Sequence, residues 1–271
     1  MKKIDKSAFN FIIFSKLTNK AYSLLKKKLL IIVNQNIFLF FQKLLFFSTY
    51  PIINMDNTKI ISQTEKFVQN KLQGESSGHD WWHVYRVWKN SVYIGREENA
   101  DLFVTQLAAL LHDIADWKFH GGNENIGPEV AREWLEKLHV NEDIISHVVE
   151  IVEDISFKGA GVKTPMKTIE GMVVQDADRL DAIGAIGIGR AFAYGGYKGR
   201  EMYNPDIKPV MHESFKQYKN NKGPTINHFY EKLLLLKDLM NTETGREIAE
   251  NRHEFMEQFL DRFLEEWEIS D

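Results

Sequence analysis

The chain has 271 residues, 44% of them apolar, enough for one large domain or two small ones with a real core. Its 34 basic and 38 acidic residues leave a net charge of −4, which speaks against a nucleic-acid binder, whose domain is usually clearly basic. With no cysteine there is no disulfide and no thiol nucleophile, so any metal must be held by nitrogen and oxygen ligands.

Residues 1–54 contain no Gly and no Arg, and Asp5 is their only acid; Phe, Ile, Leu, Lys and Asn fill them. A membrane anchor needs roughly 18–20 apolar residues in a row. The uncharged run from Leu29 to Gln42 falls short of that and carries Asn34, Gln35, Asn36 and Gln42. No signal-peptide cleavage site is clear, and the arginines of a transit peptide are missing. We therefore expect this segment to lie outside the fold. Translation is expected to begin at Met55, with the upstream bias reflecting AT-rich DNA read in frame. N-terminal sequencing of the native protein that finds a start before Met55 would contradict this.

From Met55 onward the apolar period is helical. Ile60, Phe67, Val68 and Leu72 mark a first helix that Gly74 ends. Ser76 and Ser77 are candidate caps for a second, from about His79 to Glu98. Asp101 opens a third, with Leu107, Leu110, Leu111 and Ile114 on its core face. Glu129 to His139 and Asn141 to Ile155 read as a fourth and a fifth. Pro165 suits the first turn of a long helix through Asp178 toward Arg190. Thr244 and Glu247 have capping-box spacing ahead of Ile248, Phe255, Met256, Phe259, Phe263 and Trp267. No period-two strand pattern is found. The expected class is all-α, a single helical bundle over residues 55–271.

The strongest chemical signal is His112–Asp113, set in the run Leu107 to Asp116. A His and an Asp at the edge of a buried helix face cost several kcal/mol unless something compensates. A divalent cation does so, pairing with the carboxylate and taking the imidazole lone pair. Asp116 follows at helical spacing and is expected on the same side of the helix. His83 on the preceding helix and Asp178 on a later one complete the order His, His-Asp, Asp.

This pattern resembles the HD-domain phosphohydrolases, named for their adjacent His-Asp pair. The resemblance covers Met55 to the end and is closest to the small bacterial members that act as nucleotide pyrophosphatases. It rests on Gly78 to Val87 (Gly-His-Asp-Trp-Trp-His-Val-Tyr-Arg-Val), Ala108 to Phe119 (Ala-Ala-Leu-Leu-His-Asp-Ile-Ala-Asp-Trp-Lys-Phe) and Asp176 to Gly184 (Asp-Ala-Asp-Arg-Leu-Asp-Ala-Ile-Gly). By this resemblance His83, His112, Asp113 and Asp178 are the metal ligands, Asp178 being chosen because it follows Ala177. Mn²⁺ is the implied ion, with Mg²⁺, Co²⁺, Ni²⁺ or Fe²⁺ as alternatives. Catalysis is expected of Asp113 and of Asp116, the latter orienting the nucleophilic water or protonating the leaving group. Relatives with several metals carry extra histidines after the His-Asp helix. The stretch Ile151 to Phe157 has none, which favours one metal, although His147 one turn upstream keeps a second open.

A phosphate needs cations and free amides around it. Candidate substrate contacts are His79, Lys118, Lys158, Arg179, Asp181, Arg190 and Lys198, with Lys163, Arg200 and the Gly195–Arg200 loop beside them. His79 could equally be a first-turn helix residue. Asp176 and Asp181 could reach the metal's water or simply pair with Arg179 or Arg190. Trp81, Trp82, Trp88 and Trp117 could stack a base, though packing is the commoner use. His139, His212, His228 and His253 read as structural or surface, and Gly184, Gly187 and Gly189 as permitting close helix packing.

The implied activity is cleavage of a nucleoside triphosphate to monophosphate and pyrophosphate by a cytoplasmic enzyme. Its partner is a small nucleotide, with neither nucleic acid nor membrane. Alternatives keep the metal and change the substrate to a nucleoside monophosphate, a deoxynucleotide cleaved to triphosphate, or a cyclic or alarmone nucleotide. A non-catalytic metal- and nucleotide-binding sensor is the reading from another class.

Overall fold

A computed structural model describes residues 55–74, 80–114, 126–155, 164–211 and 223–268. Among these residues the regular structure is helical throughout, with no strand. The helices are α1 (Met55–Lys71), α2 (Trp81–Glu97), α3 (Leu102–Leu111), α4 (Ile126–Lys137), α5 (Glu142–Asp154), α6 (Ile169–Asp181), α7 (Gly184–Tyr197), α8 (Thr225–Glu231), a 3₁₀ segment (Leu233–Leu239) and α9 (Glu243–Trp267). The all-α expectation holds, and no helix among the described residues is long and apolar enough to cross a membrane.

Several helix ends differ from those read off the sequence, and each difference has a local cause. Asp80 caps α2, its carboxylate accepting the His83 backbone N–H at 2.9 Å; Ser76 and Ser77 lie outside the described residues. Asp101 caps α3 as expected, accepting from Phe103 and Val104. Thr168 caps α6, so Pro165 precedes that helix instead of sitting in its first turn. The single long helix expected through Asp178 to Arg190 is two helices. Gly184, at φ +72°, turns the chain between them, a conformation that costs other residues about 1–2 kcal/mol. Thr242, accepting from Gly245, caps α9 in place of Thr244. The sequence reading passed over α8 and the 3₁₀ segment. Both are only seven residues long, too short for helical periodicity to show.

The core lies where α2, α3 and α6 pack on one another, with α5 against α3 and α9 against α7. Val84, Val87 and Ile94 of α2, Leu107 to Leu111 of α3, and Val173, Val174, Ala177 and Leu180 of α6 have no exposed surface. Full burial of a leucine contributes about 1.5–3 kcal/mol. The three helices that carry the His/Asp constellation are thus among the most rigidly packed elements. Asp176, also fully buried, accepts from Asn241 N, Thr242 N and Thr242 Oγ1 at 2.8–2.9 Å and fixes α6 to the start of α9. Burial pushes its carboxyl pKa up, and the hydrogen bonds from Asn241 and Thr242 oppose that. Asp56–Asp271 groups as one compact unit.

Candidate metal centre

The cap at Asp80 fixes the first turn of α2 and with it His83, which is buried. The helix of α3 ends at Leu111, and His112 is its C-cap. His112 and Asp113 therefore stand at the exit of α3, not on a continuing helix face, and Asp116 lies outside the described residues. Asp178 is on the last turn of α6.

Hydrogen bonds fix how each imidazole is presented. His112 Nδ1 lies 2.8 Å from Ala109 O, and His83 Nδ1 lies 2.7 Å from Asp181 Oδ2. A carbonyl and a carboxylate only accept, so in each ring Nδ1 carries the proton that makes this bond. A neutral ring then leaves Nε2 as a lone pair. The two Nε2 atoms face each other at 3.2 Å. Asp113 Oδ2 stands 3.1 Å from His83 Nε2 and 3.5 Å from His112 Nε2. Asp178 Oδ1 stands 3.4 and 3.9 Å from the same two atoms.

These separations fit a shared cation. With bonds of roughly 2.0–2.2 Å, neighbouring ligands on one ion lie roughly 2.8–3.6 Å apart, and only the His112–Asp178 spacing is longer. His83, His112 and Asp113 form the tightest set, with ligand atoms all within 4.8 Å of one another. Two imidazole lone pairs and two carboxylates repel unless positive charge lies among them. The pKa of His83 carries the same message. Burial opposes its charged form, yet hydrogen bonds to Asp113 and Asp181 outweigh burial and push it up to about 9. The donor set therefore suits a divalent ion, and Asp113 and Asp178, with side chains 19% and 32% exposed, give it a solvent-facing side.

Behind His83 sits Asp181. Arg86 Nε and Nη2 donate to its two oxygens at 2.6 and 3.0 Å, and Arg190 Nη1 donates to Oδ2 at 2.7 Å. Burial raises the pKa of this carboxyl, but His83 and Arg86 more than offset that and hold it well below the usual carboxylate range. Asp181, a candidate substrate contact that could equally pair with Arg190, makes that pairing and also holds His83; Arg190, a candidate substrate contact too, is engaged with Asp181. Arg86 was missed by sequence reasoning; its place one helical turn after His83 was the available signal.

Arg179, also expected at the substrate, is buried. It donates to Leu239 O and to Thr164 Oγ1, tying α6 to the 3₁₀ segment, and burial lowers its pKa. Lys198 caps α7 and lies over the rings of Tyr194 and Tyr197. His147, the candidate for a second metal, instead bonds Thr168 Oγ1 at 2.8 Å beside Glu170. His79, Lys118, Lys158, Lys163, Trp117 and His212 lie outside the described residues. Trp81 and Trp88 pack in the core, whereas Trp82 is 61% exposed. A side chain on Gly187 would meet the Ala182 carbonyl, but Gly189 has open space around it, so close packing explains the first and not the second.

The HD-domain family matches residues 81–183, from the start of α2 to just beyond α6, a span that contains all four converging side chains. The chain belongs to the HD superfamily and is a metal-dependent phosphohydrolase of that family. Among its relatives, the Bacillus subtilis uncharacterised protein YpgQ is 41% identical over 215 residues, covering 76% of this chain and 93% of the relative. The structure of an HD-superfamily hydrolase from Bacillus thuringiensis is 44% identical, covers 79% of this chain and 100% of that one, and superposes with a TM-score of 0.63. The structure of B. subtilis YpgQ in complex with ADP is 40% identical, covers 78% and 96% of the two chains, and has a TM-score of 0.62.

Proposed function

We propose that this chain hydrolyses nucleoside triphosphates between the α and β phosphates, releasing monophosphate and pyrophosphate, with one Mn²⁺ held by His83, His112, Asp113 and Asp178. The observation that carries the reading is the convergence of two imidazole Nε2 atoms and two carboxylate oxygens within 3.1–3.9 Å, partly open to solvent on the carboxylate side. A divalent cation there would lower the pKa of a water and neutralise charge on the phosphoryl group. The nucleotide substrate is supported by YpgQ, which has been crystallised with ADP. Asp116 is assigned proton transfer at the attacking water or the leaving group. The test is to incubate the protein with Mn²⁺ and a panel of ribo- and deoxynucleotides and to resolve the products by anion exchange. Monophosphate plus pyrophosphate supports the assignment; orthophosphate or triphosphate as the released product replaces it with another phosphohydrolase activity. Tight nucleotide binding without turnover would favour the sensor.

A further inference from the structure

The two histidines of the centre are secured in different ways. His112 uses a carbonyl of its own helix end, Ala109 O. His83 uses a side chain from another helix, Asp181 Oδ2 at 2.7 Å. Asp181 is 1% exposed and is itself held on both oxygens. The two-point contact from Arg86 fixes the plane of its carboxylate. Arg190, on α7, adds a bond to Oδ2 and another to the Asp181 carbonyl at 3.2 Å.

The placement repeats on two helices. On α2, Arg86 follows His83 by one turn; on α6, Asp181 follows Asp178 by one turn. Residues three apart share a helix face, so α6 presents one candidate ligand together with the carboxylate that bonds the imidazole, and α2 presents another together with the guanidinium that holds that carboxylate. A purely structural ion pair between Asp181 and its two arginines would not require a 2.7 Å bond from His83 Nδ1 to fall on the same carboxylate.

We propose that Asp181, fixed by Arg86 and Arg190, is a positioning residue of the metal centre, holding His83 with Nδ1 protonated and Nε2 directed at the cation. This rests on the assignment of His83 as a ligand. Outer partners of this kind change metal affinity by roughly 10–100-fold when removed. The experiment measures Mn²⁺ affinity of the full chain by competition with a chelating dye, for wild type, Asp181→Asn and His83→Ala, with circular dichroism of each metal-free protein. Asp181→Asn is expected to stay folded, to bind Mn²⁺ roughly 10–100-fold more weakly, and to regain kcat at high Mn²⁺ with the nucleotide KM unchanged. In the Zn²⁺-loaded wild type, long-range ¹⁵N NMR is expected to show His83 protonated on Nδ1. If Asp181→Asn fails to fold, Arg190→Lys, which keeps the charge and loses the guanidinium geometry, is expected to weaken Mn²⁺ binding in the same direction. A folded Asp181→Asn with wild-type Mn²⁺ affinity, beside a His83→Ala that has lost it, overturns the proposal alone. Unchanged affinity in His83→Ala overturns the ligand assignment as well.

Discussion

His83 and His112 each commit Nδ1–H to an acceptor and bring Nε2 to a common point with Asp113 and Asp178. A metal held there, as proposed, would compete with a proton for that point. With a His83 pKa near 9, a proton is bound at neutral pH in the metal-free protein and must leave when the ion enters. Mn²⁺ affinity should therefore rise about tenfold per pH unit from pH 7 toward pH 9 and then level off. Calorimetric titration in buffers of different ionisation enthalpy checks this, and a flat profile over that range would refute it. The sign for stability is opposite. The raised pKa means that charged His83 stabilises the metal-free fold fully below about pH 6.5 and loses that contribution as pH rises through about 9. Asp116→Asn is predicted to keep Mn²⁺ binding while kcat falls roughly 10²–10⁴-fold, the usual scale of general acid–base catalysis; steady-state kinetics with a metal titration separates the two. The His-Asp pair, His83 and Asp178 were legible in the sequence because their local contexts are distinctive. Pairing of Asp181 with Arg190, nine positions on, was one of the readings the sequence offered; the engagement of Asp181 with His83 and Arg86 was not, because it joins residues nearly a hundred positions apart, a pairing that no local pattern encodes.

The centre depends on helix ends more than on helix faces. His83 is in the first turn of α2, His112 is the cap of α3, and Asp178 is in the last turn of α6. What stops each helix therefore sets the geometry: Asp80 at α2, and Gly184 beyond α6. Helices with strong apolar periodicity, such as α2 and α5, were readable within a few residues. The break between α6 and α7 was not, because Ala182 and Ile183 are compatible with helix and only the backbone at Gly184 shows the turn. Asp176 places α6 against α9 through its bonds to Asn241 and Thr242. Asp176→Ala would remove the partner of the buried Thr242 donors, and each buried group left unpaired costs about 1–3 kcal/mol. A lowered melting temperature with the nucleotide KM retained is the expected outcome. An unchanged melting temperature would show that this tie contributes nothing.

For the whole molecule, three helices packed in one core converge on the site, so binding of the proposed ion would be coupled to folding. An ion that binds only the folded chain, at a concentration one hundred times its Kd, stabilises it by about 2.7 kcal/mol. At roughly 2–4 °C per kcal/mol for a domain of this size, chelation should lower Tm by roughly 5–10 °C, measurable by calorimetry with and without a chelator. The coarse architecture was legible because an all-helical pattern from Met55 onward leaves few alternatives, while α8 and the 3₁₀ segment were too short to carry a period. The most direct measurement is calorimetric titration of the metal-free protein with Mn²⁺, beside His112→Ala and Asp113→Ala. One ion per chain in the wild type, with binding and phosphohydrolase activity lost together in both variants, is the predicted result. Variants that bind and turn over like the wild type, or a second ion of equal affinity, would contradict a single centre built from His83, His112, Asp113 and Asp178.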